Sequence, residues 1–354
     1  QLNCVLYVSY MTPKSSKPRV VVLGGGNGSS HLLRALLPLL QDGRIDSLHG
    51  LVQMADDGGS TGRLREQYRV GAMGDLTRCM LALSPLKDDV RGKKFIKALE
   101  YRFADGDFAG HTLRNALLTA MELTSDLDAA IATFARVLQI PKASGVIPTT
   151  LQAITQQVVA PDGEVLGEGE HFISHNVDLQ TSSEWKPGDV RVKFKEDDMA
   201  LNPRAREVLE AATHVLVAPG HTYGTILPVL ASLTIDSSFS LKDVGADIVV
   251  VMTLLTTPNQ TTGWSGEDFV EVYESYIGKQ ATAVIGNTGE AGPGLVEGQD
   301  WVRFGAGDHD YELLLEDVVS TEEQKQQSQD SVPRAIVVHD EKRLQKLLMR
   351  VLEA

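Results

Sequence analysis

The sequence predicts an α/β fold built on a doubly wound, mainly parallel sheet with a smaller β-containing insertion. Three observations carry that expectation. Short β-branched apolar runs such as Arg19-Val-Val-Val-Leu23 stop abruptly at glycine, as strands buried on both faces do. Segments with apolar residues at helical spacing follow them, so strand and helix alternate along most of the chain. The strand-to-helix loops are rich in glycine and carry the polar residues, and in a doubly wound sheet such loops line the ligand crevice.

Taken in order, residues 1–17 are expected to form an extension without fixed structure, and residues 18–354 one domain. After the strand at 19–23 a helix is expected over 29–40. Ser29 or Ser30 is its expected N-cap, and Leu32, Leu33, Leu36, Leu37 and Leu40 fall on one face. A second strand is expected at 48–54, then helices over 75–83, 93–103, 111–123 and 127–138. From about 145 to 200, alternating short apolar runs and the turn Pro161-Asp-Gly163 predict a β-rich insertion. A helix at 202–212 and a strand at 214–218 follow. Further buried strands are expected at 247–255, 281–286 and 334–338, the last pairing with a helix at 341–352, while 321–331 reads as a polar loop.

Composition narrows the function. The chain is 354 residues long, 42% hydrophobic and 23% charged, ordinary for a globule able to bury its own core. A formal net charge of −14 argues against non-specific binding to nucleic acid or to an anionic membrane. Two cysteines, Cys4 and Cys79, cannot build a disulfide framework or a four-cysteine zinc site, and a reduced, cytoplasmic setting is expected. No run of 18 apolar residues is present, so no membrane span is expected, and the N-terminus lacks the pattern of a signal peptide.

Four loops carry the candidate site. In Gly24-Gly-Gly-Asn-Gly-Ser-Ser30, glycines let the backbone approach a ligand, and the helix behind offers free N–H groups to phosphate. Gly25, Gly26, Asn27, Gly28 and Ser29 are the candidates there. The dinucleotide pattern G-x-G-x-x-G fails at Ser29, the following acids come too late, and no G-x-x-x-x-G-K-[ST] occurs. The second loop, Ala55-Asp-Asp-Gly-Gly-Ser-Thr-Gly-Arg63, is the most specific string in the chain. Adjacent carboxylates at a strand end are costly unless they face water, a metal or donors. Asp56 and Asp57 suit ribose hydroxyls, Mg²⁺ or general-base work, with Gly58, Gly59, Ser60 and Arg63 as further candidates. Simple capping of the next turn is the bland alternative.

Asp75, after Gly71-Ala-Met-Gly74, is an expected N-cap and a ligand candidate, and Asp57 and Asp75 are the candidates for catalysis or for Mg²⁺. His111 and Asn115 come from Gly110-His-Thr-Leu-Arg-Asn115. The fourth loop, Ala218-Pro-Gly-His-Thr-Tyr-Gly-Thr225, offers Pro219, Gly220, His221, Tyr223 and Thr225 as a second anion cradle. His171 and His175 are read as part of a strand and not as a metal pair. Cys79 is read as buried packing inside a helix.

These loops, in this order, resemble the gluconeogenesis factor family (YvcK-like) within the CofD-like superfamily. The resemblance rests on Val20-Val-Val-Leu-Gly-Gly-Gly-Asn-Gly28 and Ala55-Asp-Asp-Gly-Gly-Ser-Thr-Gly-Arg-Leu-Arg65. It continues through Gly74-Asp-Leu76, Gly110-His-Thr112 with Asn115, Asn202-Pro203, Pro219-Gly220, Tyr223-x-Thr225-Ile-Leu-Pro228 and Thr257-Pro258. It implies a CofD-like, Rossmann-type core. It implies a cytoplasmic factor that binds a nucleotide sugar of the UDP-N-acetylglucosamine type and serves gluconeogenic growth and cell shape. A homo-oligomer and a regulatory protein partner are compatible with it. The related transferases imply the alternative: Mg²⁺-dependent transfer of a phospholactyl or phosphoenolpyruvyl group from a guanosine diphosphate carrier to a deazaflavin, in the coenzyme F420 pathway. The chain departs from the family pattern within Gly74-Asp-Leu-Thr-Arg78, Gly110-His-Thr-Leu-Arg-Asn115, Ala218-Pro-Gly-His-Thr-Tyr223 and Thr256-Thr-Pro-Asn-Gln-Thr261, all near the expected cleft.

Overall fold

Alternation along β1 (Arg19–Leu23) sorts its side chains onto two faces: Val20 and Val22 enter one core, Val21 and Leu23 the other. A strand buried on both sides needs a helical layer on each, and the computed structural model shows both layers. It describes residues 17–179, 185–290, 295, 297–321 and 337–353. The expected extension lies almost wholly outside the described residues, as does most of the strand expected at 334–338 and of the loop at 321–331.

The first half runs β1, α1 (Gly26–Gln41), β2 (Ser47–Val52), α2 (Gly59–Tyr68), α3 (Met73–Ala82), α4 (Val90–Glu100), α5 (Leu113–Thr124), α6 (Leu127–Val137) and β3 (Ser144–Pro148). An inserted segment follows: β4 (Gln156–Val159), β5 (Val165–Glu168), α7 (Glu170–Asn176) and β6 (Arg191–Phe194). The second half is α8 (Pro203–Ala211), β7 (His214–Val217), a π-helical turn (Thr222–Ile226) running into α9 (Leu227–Ser232), β8 (Asp247–Val251), α10 (Gly266–Ile277), β9 (Ala283–Asn287), β10 (Glu312–Glu316) and α11 (Glu341–Leu352).

The main sheet has the order β10-β9-β8-β7-β1-β2-β3, and every pairing in it is parallel. From β1 the chain winds outward through β2 to β3, then returns to β7 and winds the other way. The reversal puts the carboxyl ends of β1 and β7 side by side, the position where an open α/β sheet leaves a crevice. The glycine loop after β1 and the Pro219-Gly220 loop after β7 therefore meet, although the paired residues Val20 and His214 stand 194 positions apart in sequence. The inserted strands form a separate antiparallel sheet, β5-β4-β6. No described helix is long and apolar enough to cross a membrane.

Several expectations are corrected. The first helix starts at Gly26 with Gly25 as N-cap and no side-chain cap; Ser30 donates from Oγ to the Asn27 carbonyl instead. Gly26 enters with φ of 61°, which an unbranched glycine backbone adopts without strain. Asp75 is not an N-cap: α3 begins two residues earlier, after Ala72. His111 precedes α5, whose N-cap position is Thr112. Residues 144–148 form the edge strand of the main sheet and not the start of the insertion. His171 and His175 lie on helix α7, which brings their rings to 4.8 Å. Edge strand β10, Glu-Leu-Leu-Leu-Glu, carries the acids of a half-exposed strand and lacks the β-branched signature of the central ones.

Candidate functional site

The N-terminus of α1 sits at the switch point. A Cβ on Gly28 would fall 1.7 Å from the Pro219 carbonyl oxygen, so α1 and the loop after β7 touch backbone to backbone only because residue 28 has no side chain. Thr225 covers Gly25 from the opposite loop, its Cγ2 3.3 Å from where a Gly25 Cβ would lie. Ser29 is buried, and its Oγ has no hydrogen-bond partner among the described residues. A buried hydroxyl left orphaned in a βα turn is an exception that calls for a reason, and a ligand is one.

Asp75 closes this turn. Its carboxylate accepts from the Gly26 backbone N–H, and its Oδ2 lies 2.4 Å from the position of a Gly25 Cβ. The helix terminus that would greet a phosphate thus already faces an acid. Arg78 reaches across from α3, donating from Nη1 to Asn27 Oδ1 at 2.6 Å, and Arg78 and Arg114 lie close enough to stabilise the ionised Asp75. Burial outweighs both and raises the Asp75 carboxyl above its ordinary range.

Asp56 is the second acid of the group. Its Oδ1 accepts from Gly58 N–H at 3.0 Å and it takes a further bond from Thr61. Loss of water first, and the Asp75 charge second, raise it to about 6. Glu170, at the start of α7, is the third. Its Oε1 accepts from Ser174 Oγ at 2.6 Å, and burial, then the Asp56 charge, hold it well above the usual carboxylate range. Three acids raised by burial, with Asp75 raising Asp56 and both raising Glu170, resemble in their glycine-walled crevice the pattern of a functional site more than that of a structural ion-pair network.

Asp57 has a different position from that expected. Its Oδ1 accepts from the His171 backbone N–H at 2.7 Å, so it fastens the first turn of α7 to the core. The partner of Asp75 is Asp56, and the Asp57–Asp75 pairing read from the sequence is not the one the fold forms. Among the described residues no three His, Cys, Asp or Glu side chains are placed to hold a metal ion. Asp56 and Asp75 nonetheless suit Mg²⁺, which binds through one or two carboxylates and completes its shell with water and phosphate oxygens.

Ser60, His111 and Asn115 form a second group. His111 Nδ1 lies 2.9 Å from Ser60 Oγ, Asn115 Nδ2 donates to the same oxygen at 3.2 Å, and Thr77 Oγ1 donates to Asn115 Oδ1 at 2.9 Å. Burial, then Arg63 and Arg102, lower the His111 pKa, which keeps it neutral at pH 7. Arg63 points to the loop that carries His111, donating to the Ala109 carbonyl at 2.9 Å. A cavity of about 680 Å³ runs beside α2, lined by Asp57, Gly59, Gly62, Arg63, Arg69 and Ala153 among others.

In the fourth loop, His221 Nδ1 accepts from Gly224 N–H at 2.9 Å and caps the π-helical turn; burial, then His175, lower its pKa to about 4. Its Nε2 is buried without a partner among the described residues. Tyr223 is 2% exposed and packs edge-on to Trp264 in the core, so it supports the loop and does not line the crevice. Glu170 and Ser174 are hidden from a strand reading of 170–176, which puts them far apart along one face; on helix α7 the i, i+4 pair is adjacent. Sequence patterning also passes over Arg65, which donates to the carbonyls of Ala55, Asp56 and Ile154 at 3.0, 2.7 and 3.0 Å. Arg65→Ala should cost about 2 kcal/mol in urea denaturation, since three carbonyls lose a charged donor. Arg65→Lys should recover little of it, lacking the fork that spans them.

The family model described as 2-phospho-L-lactate transferase CofD matches residues 20–354. The gluconeogenesis factor of Listeria monocytogenes is 33% identical over 268 residues, covering 75% of this chain and 76% of that protein. The putative gluconeogenesis factor of Lactococcus lactis is 32% identical over 316 residues, covering 86% and 89%. A crystal structure of a UPF0052-family protein from Bacillus halodurans superposes with a TM-score of 0.74 at 23% identity, over 95% of this chain and 99% of that one, and so shares the fold.

Proposed function

The chain belongs to the CofD family, in its gluconeogenesis-factor branch, and from that membership and the shape of the crevice we propose that it binds a nucleotide sugar and acts as a regulatory factor in carbon metabolism. The observation that supports this reading is the gathering of Asp56, Asp75 and Glu170 around a glycine-walled switch point. Such a cluster opposes folding and is relieved by a ligand that brings hydrogen-bond donors or a cation. Sugar and ribose hydroxyls are donors of that kind. The Gly24–Gly28 turn and the orphaned Ser29 Oγ offer room and a polar contact for the diphosphate beside them. The names of the Listeria and Lactococcus relatives support a role in gluconeogenic growth. A UDP-N-acetylglucosamine type of ligand, an effect on cell shape, a protein partner and a cytoplasmic setting complete the reading.

The Asp56–Asp75 pair also favours a second reading, a Mg²⁺-dependent transferase acting on a nucleotide-diphosphate-linked group. Asp56 and Asp75 would hold the ion, which would screen ligand phosphates from both carboxylates. Thermal unfolding in the presence of UDP-N-acetylglucosamine, UDP-glucose, GDP, GTP and NAD, each with Mg²⁺ or with EDTA, separates the readings. At about 100 times the dissociation constant a specific ligand adds about 2.7 kcal/mol. Stabilisation by UDP-sugars that persists in EDTA is the expected result. Stabilisation by GDP with Mg²⁺ alone would replace it with the transferase reading, and no response to any of the five would overturn both.

A further inference from the structure

We propose that the outward face of α4, with the aromatic hairpin that follows it, docks an acidic segment of a protein partner. The inference rests on the regulatory reading above and names the chemistry of the partner that reading calls for. α4 is held from one side. Gly92 and Leu99 are its buried residues, and a Cβ on Gly92 would fall 2.1 Å from the Leu86 carbonyl oxygen, so the helix lies backbone to backbone on the turn before it. At about 3.6 residues per turn the opposite face carries Val90, Lys94 and Lys97 in a line that ends at Tyr101, all four exposed.

Two features of this face are unfavourable in the isolated molecule. The first is charge. Arg91, Lys93, Lys94 and Lys97 are exposed, and none has an ion-pair partner among the described residues. Lys93 and Lys97 stand at i, i+4, and Lys94 and Lys97 at i, i+3, so like charges repel where acids would have supported the helix. The second is apolar surface. Val90 is 73% exposed, and Tyr101 and Phe108 are each 56% exposed. Tyr101, Phe103 and Phe108 form a cluster with ring centroids 5.3 and 5.4 Å apart. The Phe103 N–H donates to the His111 carbonyl and the Gly110 N–H to the Phe103 carbonyl, which braces the rings and lowers the cost of ordering them against a partner. Apolar anchors at both ends of a cationic line suit a segment that sets acids between apolar side chains.

Charge also decides the class of partner. The chain carries −14 overall, so a polyanion is repelled on approach, and screening confines the pull of the lysines to about 10 Å in 0.1 M salt. Asp105 and Asp107 are exposed on the hairpin beside Phe108. A lipid surface or a nucleic-acid strand spreads its charge evenly and would meet these acids together with the lysines. A protein segment places its acids opposite Lys94 and Lys97 and leaves the hairpin tip in water.

The test is fluorescence anisotropy with the full chain and no nucleotide, so its failure leaves the crevice reading standing. The probe is a labelled synthetic peptide with glutamates along one helical face and a leucine at either end of that face. It should bind, and more weakly as salt rises. Lys94→Glu with Lys97→Glu should raise the dissociation constant by about tenfold or more, and Val90→Ser with Tyr101→Ser should do the same through lost anchors. The same peptide with lysine in place of glutamate should bind the charge variant and not the wild type, a rescue that an unfolded variant could not give. No substituted residue belongs to the crevice, so both variants should keep their stabilisation by nucleotide sugar. Absence of peptide binding, or binding indifferent to all four substitutions, would overturn the proposal. Binding to phosphatidylglycerol vesicles or to a single-stranded oligonucleotide that depends on Lys94 and Lys97 would overturn it in favour of a polyanion. A change in sedimentation of the charge variant alone would overturn it by placing a second copy on the stripe.

Discussion

Gly28→Ala should lower the stability of this protein by about 3 kcal/mol, the upper part of the range for overpacking a tight junction. The opposite sign follows from helix propensity alone. Gly28 lies inside α1, and alanine there should gain about 1 kcal/mol. Sterics decide the outcome, because the new Cβ would meet the Pro219 carbonyl oxygen at 1.7 Å and its carbon at 2.7 Å. Neither atom is the end of a flexible side chain, so α1 or the loop after β7 has to retreat. That displacement opens the switch point itself, and ligand-induced stabilisation should fall with it. Urea denaturation should show a lower midpoint with an unchanged slope. Gly245→Ala is the control, since nothing lies within 4 Å of its Cβ position and no shift beyond a few tenths of a kcal/mol is expected. Equal stabilities for the two variants would mean that the two loops do not touch.

Asp56→Asn should make the protein more stable at pH 8 and no more stable at pH 4, while weakening ligand binding. The folded-state pKa of Asp56 is about 6 against an ordinary 3.8. Between those values the folded protein keeps a proton that the unfolded chain releases, so stability falls as pH rises through that window. Below about pH 4 the penalty is absent, and above pH 6 it is complete. A shift of this size corresponds to about 3 kcal/mol, of which a variant recovers part, because Asp75 shares the repulsion. Asparagine keeps an acceptor for Gly58 N–H, so local geometry is preserved. Urea midpoints at pH 4 and pH 8, with thermal shifts in nucleotide sugar, measure both effects. Destabilisation at pH 8 would show that the carboxylate is a structural anchor and not a group held in place for a ligand.

The family resemblance was legible because its motifs are loops, and loop chemistry is written locally. Val-Val-Val before three glycines announces a buried strand and a close-packed turn whatever surrounds it. Asp56-Asp57 announces a cost to be relieved. Which carboxylate serves which purpose was not legible. Adjacent residues at a strand end point to different sides, and only the arrival of α7 against Asp57 assigns that one to capping and leaves Asp56 facing Asp75. Tyr223 shows the same limit in the other direction. Its neighbours Pro219, Gly220 and Thr225 border the crevice, but a π-helical turn rotates the tyrosine ring into the core.

Periodicity and punctuation in the chain alone determined the doubly wound class, the central strands, the helix at 341–352 and the glycine loops at the strand ends. These depend on side chains within a few residues of one another, where pattern and structure coincide. Tertiary structure alone decided that the loops after β1 and β7 are neighbours, that Glu170 joins the site from the insertion, and that β10 closes the sheet edge. Each of those is a contact between segments far apart in sequence, fixed by which strands pair and which faces are buried. No local preference encodes such a contact, and burial against a distant partner is also what moves the Asp56, Asp75 and Glu170 carboxyls away from their ordinary values.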